Sequence, residues 1–528
     1  MTADAVAPMA PRSPGAREVN ALKTSPARRT APAEASARAP GGRWGAALRS
    51  VRSGDWLAVV AVLYLVAQLA LVVPRLGHGL GWDESVYVSQ HDPRNPAVFF
   101  SAPRSRGTSL LTAPVIAATD SVVVLRVALA LLSSAALYAA FRVWRPLVGA
   151  RTAAFAALLF AGLWIAVLSG AMAMPNLWVA FGSVGAVGWF LRDDGTRTGT
   201  GGDSRKSKGR YWWLAGCVAA VALFRAPDAV WLVLPLAAIA LVRRERRRTL
   251  PYLAAGLLAG LAQWVVEAYA RWGGVAERLR VSSATEGDMG LHWNIGTAWR
   301  AVNGPLLCRP CTAGSPDSPG LALWWLALPL LTAAAVYVAL RGRRPAPTLV
   351  PVACAAALAV PYLLLIGYSA PRFLLPTYAL LSLPVAVLLR RMRRRRALAM
   401  AAVALVVLQS ASQIAVLHRE VGSTARTDAR YVAAAEGLRS LGVTPPCLVT
   451  GPRALPIGYA AGCASAQTHG NNASTTRAEL LRRAAEVPTA VLTQRGHRPP
   501  KYARDWTPYE LPHTPGWTAW KAPSTGRQ

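Results

Sequence analysis

The sequence predicts a polytopic α-helical membrane protein of about eleven transmembrane helices, with a small extracytoplasmic α/β domain at its C-terminal end. Three observations predict it. Hydrophobic residues make up 53% of the 528, and apolar runs suited to a bilayer recur between residues 56 and 417. The formal charge of +33 falls in short clusters between those runs, not on one face. A bilayer sorts loops in this way, whereas a nucleic-acid surface gathers its cations. Beyond residue 417 helical and β-like patterns alternate. A soluble multidomain protein and a nucleic-acid partner are thereby excluded, and membrane lipids are implied.

Residues 1–52 are rich in Ala, Pro, Ser and Arg and almost lack large apolar side chains. Such a segment cannot offset the entropy of ordering and reads as a disordered cytoplasmic tail. The run from Trp56 to Val73 lacks a small-residue cleavage site, so it reads as an uncleaved signal anchor. Spans are expected at 56–75, 121–144, 152–169, 174–191, 211–224, 229–242, 250–270, 321–340, 348–368, 373–389 and 397–417. The connections at 142–151, 192–210, 243–248, 341–346 and 390–396 carry the basic clusters, including RRERRR and RRMRRRR, and are expected to face the cytoplasm. In the pair at 211–242 each leg has about fourteen residues, and LFRAPDAV interrupts the middle. A tight hairpin or a re-entrant turn would put Arg225, Pro227 and Asp228 toward the outer half. An odd number of crossings leaves residues 418–528 outside, in a multi-pass cell-membrane protein with a cytoplasmic N-terminus.

The cysteines divide along the same lines. Cys217 and Cys354 fall within spans as small apolar fillers. Cys308 with Cys311 in LLCRPCTAG, and Cys447 with Cys463 in the tail, fall on the oxidising side and are disulfide candidates of open connectivity. A redox pair or half a zinc site are the alternatives for CRPC, but no thioredoxin-like context or second ligand pair accompanies it. The tail alternates the helical DARYVAAAEGLRSLG, the β-like CLVTG, the helical TRAELLRRAAE and the β-like TAVLT, which predicts an α/β domain. NNAS within it is assigned no role.

The candidate site lies in the first outer loop, 76–120; a second large outer loop spans 271–320. GLGWDESVYVSQHDP places Asp83 and Glu84 beside Trp82 and Tyr87, and SAPRSRGTSLLTAPV adds Arg104 and Arg106 in short interfacial helices. Arg225 in FRAPD and Arg372 in YSAPRFLLP fall at outer ends of spans. An Arg against hydrocarbon costs roughly 2.5 to 3.5 kcal/mol and so requires an anion or water. A lipid-linked phosphate suits it, because guanidinium binds phosphate oxygens bidentately. A carboxylate opposite such a clamp suits sugar transfer from a polyprenyl-phosphate donor. Phosphate leaves as a stable anion, so one base suffices where glycosidases use two carboxylates. Asp83 is expected to be the general base; Glu84 orients the acceptor, assists the base, or binds a divalent metal ion, the one cofactor left open. Tyr87, Arg104, Arg106, Arg225 and Arg372 are expected to bind substrate. Plainer readings stand beside these: solvated loop charge for the acidic pair, and a structural role for Arg126, pairing with Asp120 or facing the loop cavity. Glu267 lines the same cavity or an aqueous boundary, and Asp288 and His292 serve an acceptor, a metal, or neither.

A first span followed at once by an outer loop bearing W-D-E-x-x-Y resembles the GT-C superfamily of membrane glycosyltransferases, which includes protein mannosyltransferases and the aminoarabinose transferase. LFRAPDAVWLVLP is similar to the R-P-[DE] segment of some members, with Ala226 interrupting it, and APRFLLPTYALL to their late R-[FY]-x-x-P span. The resemblance covers roughly residues 56–417. It implies a GT-C-like module over 53–417, an outward active site, a polyprenyl-phosphate-linked sugar donor, inversion, and a glycan, lipid or protein acceptor in the cell envelope. The tail matches no subgroup. The rival functions are a transporter or lipid flippase, for which the internal repeats are missing, and a non-catalytic envelope scaffold.

Overall fold

Helix occupies every apolar segment between residues 56 and 417, but the helices are far from equal. The computed structural model describes residues 54–192, 204–393 and 396–523, without the side chains of 204–208. The tail expected over 1–52 lies outside them, as does most of the connection at 192–210. Among the described residues, seven helices are long and apolar enough to cross a membrane, or eight with one bent pair counted as a span. Four shorter apolar helices accompany them, three of which coincide with the expected spans at 174–191, 211–224 and 229–242. The protein is nonetheless a polytopic helical membrane protein.

The helices used below are α1 (Trp56–Leu71), α2 (Trp82–Val88), α3 (Gly107–Ala118), α4 (Val122–Arg142), α5 (Ala150–Ala161), α6 (Trp164–Gly170), α7 (Asn176–Leu191), α8 (Ser204–Phe224), α9 (Ala226–Val242), α10 (Leu250–Arg271), α11 (Val275–Thr285), α12 (Pro319–Leu340), α13 (Ala346–Val360), α14 (Leu375–Met392) and α15 (Arg396–Ser440). Burial explains the short ones. Nearly every residue of α7 is buried, as expected of a helix that is apolar all round, and it packs against α4, α8 and α14 at the bundle centre. A helix enclosed by protein need not match the bilayer's thickness. By contrast α12 leaves Leu323, Leu326 and Leu330 exposed as a lipid-facing surface.

Two local breaks shape the site. The expected span at 152–169 is not one rod: α5 and α6 meet at 83°, with Gly162 and Leu163 between them. The pair at 211–242 breaks at a single residue, Arg225, whose φ of −150° and ψ of 102° are extended, and Pro227 then starts α9. Close backbone approach holds this corner: a Cβ on Gly107 would stand 2.7 Å from the Leu223 carbonyl, and one on Gly260 of α10 would stand 2.6 Å from Ala222 Cβ.

The expected boundary at residue 417 falls inside a helix. α15 runs for 45 residues without interruption, ~67 Å at 1.5 Å per residue, against a hydrocarbon core of about 30 Å. Its apolar first half belongs to the bundle. In its second half Tyr431, Ala434, Ala435 and Leu438 pack into the domain core with Val449, Ile457 and Leu492. Hydropathy changes near 417 while helix propensity does not, which is why a boundary was expected there.

The domain's five-stranded sheet comprises β1 (Leu448–Thr450), β2 (Ala464–Ala466), β3 (Thr489–Gln494), β4 (Thr507–Glu510) and β5 (Trp517–Lys521), in the order β2-β1-β3-β5-β4. CLVTG contains β1 and TAVLT is the first five residues of β3; the other strands lack a strong apolar alternation. β1 is parallel to both β2 and β3, and β5 is antiparallel to β3 and β4. Helix α16 (Ala454–Ala461) connects β1 to β2, and α17 (Arg477–Glu486) connects β2 to β3. A disulfide between Cys447 and Cys463 joins the entries to β1 and β2.

Candidate active site

Asp83 and Glu84 occupy the first turn of α2, where the helix dipole favours anions. Neighbours on a helix point about 100° apart, and here that sends one carboxylate into a cavity and the other into the protein. Glu84 is 1% exposed. Its Oε1 accepts from Arg126 Nη1 and from the Ala173 N–H, each at 2.8 Å, and its Oε2 accepts from Arg126 Nη2 at 3.0 Å and the Gly81 N–H at 3.1 Å. Arg126 is 0% exposed and also donates to the carbonyls of Leu76, Gly79 and Ala171 at 2.7, 3.0 and 3.0 Å. All five guanidinium donors are thus used. Glu84 is therefore an anchor for the loop that delivers α2, and the expected acceptor, base-assisting and metal roles do not fit its saturated oxygens. Arg126, expected in a structural role either pairing with Asp120 or facing the loop cavity, is structural but pairs with Glu84.

Asp83 is held differently. Its Oδ1 accepts from Arg104 Nη2 at 2.7 Å and its Oδ2 from Arg372 Nη2 at 2.9 Å. Arg372 is steadied by the Leu306 carbonyl at 2.7 Å, and Arg104 by Ser101 Oγ at 3.1 Å and the Tyr87 ring 5.2 Å away. Arg225, projecting from the α8–α9 break, lies over the rings of Tyr362 and Phe373 at 5.4 and 5.5 Å. Among the described residues its only ion pair is a loose one, Nε to Asp228 Oδ2 at 3.4 Å, and that Nε makes no hydrogen bond there. Asp228 Oδ1 accepts from the Tyr362 hydroxyl at 2.5 Å. Asp83, Tyr87, Arg104, Arg225 and Arg372 all line one cavity of about 540 Å³.

Arg106 does not join them. It donates to Glu267 through Nε at 3.1 Å and to Gln90 at 2.7 Å, with its guanidinium 3.9 Å above the Phe100 ring. Glu267, shared with Arg278 and Arg271, serves that cluster and not the cavity. Arg278 is fully buried and donates to the carbonyls of Ala102 and Arg104, each at 3.0 Å, which fixes the backbone that carries Arg104. The Cys308–Cys311 disulfide closes a turn whose Cys308 pairs through its backbone with Ser369, placing the Leu306 carbonyl beside Arg372. Among the described residues no three His, Cys, Asp or Glu side chains form a metal-binding group; the His292 ring nitrogen lies 3.3 Å from the Asp288 carbonyl oxygen.

Several cavity residues went unrecognised in the sequence: Glu286, Arg309 and Tyr368 on one side, Asp428 of α15, and Arg453, Asn471 and Asn472 of the domain. The Asn pair belongs to NNAS, which chance-level motif matching gave no reason to single out.

Burial raises the Asp83 carboxyl, but Arg104 and Arg372 outweigh it, with Arg225 assisting, and the group sits below its ordinary value. The carboxylate is then ionised at neutral pH. For a reaction using it as base, the acid limb of kcat/KM, which reports the free protein, is expected below about pH 4, the ordinary range of an aspartate. The limb of kcat should lie higher, because a bound phosphate competes for the same guanidiniums and releases the carboxyl toward its usual value. Rate profiles taken below and above saturating donor check this; an acid limb of kcat/KM near pH 6 would exclude Asp83 as the titrating base.

No protein-family model matches the sequence, and no curated protein matches it. Solved structures do. ArnT from Cupriavidus metallidurans bound to undecaprenyl phosphate is similar over 91% of this chain and 100% of its own, at 14% identity and a TM-score of 0.60. Its apo state gives 0.59 at the same identity and coverage. The apo oligosaccharyltransferase of Archaeoglobus fulgidus is similar over 84% of this chain and 70% of its own, at 13% identity and a TM-score of 0.51. The chain has the GT-C fold that these structures share.

Proposed function

We propose that the chain is a membrane glycosyltransferase that moves a sugar from a polyprenyl-phosphate donor to a cell-envelope acceptor on the extracytoplasmic face, with inversion. The observation that carries this is Asp83, bridged by Arg104 and Arg372 in the cavity that also holds Arg225. The ArnT of like fold was crystallised with undecaprenyl phosphate, which supports a lipid phosphate as the group that these guanidiniums grip. In the proposed step Asp83 takes the proton of an acceptor hydroxyl. The hydroxyl oxygen bonds to the anomeric carbon as the bond from that carbon to the phosphate oxygen breaks. The electron pair leaves with the polyprenyl phosphate, and the arginines stabilise its charge. Attack opposite the leaving group inverts the anomeric centre.

The outward orientation rests on charge. α9 starts beside Arg225 and ends at RRERRR, and α14 starts just after Arg372 and ends at RRMRR. The basic clusters therefore lie at the opposite helix ends from the site, and basic loops stay in the cytoplasm.

Deleting the gene should remove one sugar from an envelope glycoconjugate and raise the level of a polyprenyl-phosphate sugar, both read by mass spectrometry. Restoring the chain as Arg225→Ala should leave transfer about 10- to 100-fold down through a raised KM for donor, the loss expected for about 1.4 to 2.8 kcal/mol of charge-assisted binding. Unchanged glycoconjugates and lipid-linked sugars in the deletion strain would overturn the reading.

A further inference from the structure

The proposed transfer leaves one wall of the cavity without a task. Glu420, Ser423, Thr424, Thr427, Asp428 and Tyr431 all line it and, three or four residues apart, occupy one face of α15. Thr424 and Thr427 donate to the carbonyls of Glu420 and Ser423 at 2.8 and 3.0 Å, which leaves both hydroxyl oxygens free to accept. Asp428 is 2% exposed, and its Oδ2 accepts no hydrogen bond; Arg126, already saturated, is 3.9 Å away. Burial, helped by the neighbouring Glu84, pushes the Asp428 carboxyl up to about 8, so it stands mainly as the acid at neutral pH, and a buried carboxyl oxygen without a partner is costly. It marks a place where an incoming hydroxyl would be bound.

Across from α15 stand Arg453, Asn471 and Asn472. Arg453 follows β1 and the Asn pair follows β2, so these residues come from the carboxyl ends of two adjacent parallel strands. Open α/β sheets hold their ligands at that edge. Arg453 keeps a φ of +58°, in the left-handed region unfavourable to a bulky residue, and makes no ion pair among the described residues. Its guanidinium lies 5.6 Å over the ring of Trp82, the residue preceding Asp83. The domain thus turns the carboxyl edge of its parallel strands toward the base.

We propose that this wall is the acceptor subsite and that the acceptor is a glycan. The inference rests on the transferase reading and names its second substrate. Each sugar hydroxyl both donates and accepts, so it needs bare acceptors interleaved with planar donors. The unpartnered Asp428 oxygen, the two Thr oxygens and the Ser423 hydroxyl supply the first; Asn471, Asn472 and Arg453 supply the second. A peptide would seek a strand edge or side-chain pockets, and a lipid tail would seek an apolar surface. The wall offers neither.

The test restores a deletion strain with wild type, with Ser423→Ala/Asn472→Ala, or with Asp83→Asn, at matched membrane abundance. Sugar occupancy is read by mass spectrometry separately in the polysaccharide, glycolipid and secreted-protein fractions. The expected result is loss of one sugar from the polysaccharide or glycolipid fraction on deletion, full recovery with wild type, and recovery to one fifth or less with the double variant. Ser423→Thr alone, which keeps the hydroxyl, should recover most of the occupancy. A loss confined to the protein fraction, or full recovery with the double variant, would overturn the glycan subsite and leave the transferase standing. No change in any fraction on deletion would overturn both.

Discussion

Asp83→Asn should lower sugar transfer by about 10²- to 10⁴-fold, the range assigned to a positioned general base, while leaving donor binding intact or tighter. The asymmetry follows from the geometry. Asp83 neutralises Arg104 and Arg372 in the free protein, so a lipid phosphate must compete with it for the same guanidiniums. An amide keeps the shape but yields those cations to the phosphate. Single-turnover rates and donor titrations on the purified full-length variant separate the two effects. Equal losses in binding and rate would make Asp83 a binding residue and not a base.

The second large effect concerns stability. Arg126→Met should destabilise the protein by about 3–5 kcal/mol, the cost of removing one partner from a buried ion pair. Replacing a buried pair by apolar groups is often harmless elsewhere, but not here. Arg126 also satisfies three backbone carbonyls, and Glu84 satisfies two backbone N–H groups. A Glu84→Met/Arg126→Met double variant would orphan all five, so it should be no more stable than the single variant. Thermal unfolding in detergent and membrane abundance check both; full rescue by the double variant would show that the pair serves only itself.

This pair also marks what a linear sequence conceals. WDESVY made the acidic pair legible, and two short motifs made Arg225 and Arg372 legible, because each stands against an apolar background where a charge requires a reason. The division of labour between Asp83 and Glu84 was not legible. It depends on Arg126, which lies 42 positions beyond Glu84 and sits inside a helix whose own pattern is only apolar. Arg104 and Arg106 looked equivalent for the same reason: Glu267, which captures Arg106, lies 161 residues away. The apolar helices were legible, since hydropathy reports them directly, but the continuation of α15 beyond residue 417 and the polar α11 were not. The bend between α5 and α6 was hidden because no proline announces it. The far wall was hidden because Ser, Thr, Asn and Asp are ordinary on any soluble surface, and only the folded chain turns them toward Asp83.

The uninterrupted run of α15 sets where this polypeptide tolerates being cut. A truncation placed at residue 417, where lipid-loving sequence ends, would sever a rod in mid-course and strip Asp428 and its neighbours from the chamber. A cut in the turn after Ser440 keeps the rod whole but parts the sheet from Tyr431, Ala434, Ala435 and Leu438, which belong to its core, so neither position separates two self-sufficient pieces. The two halves share a girder, and neither is an accessory of the other.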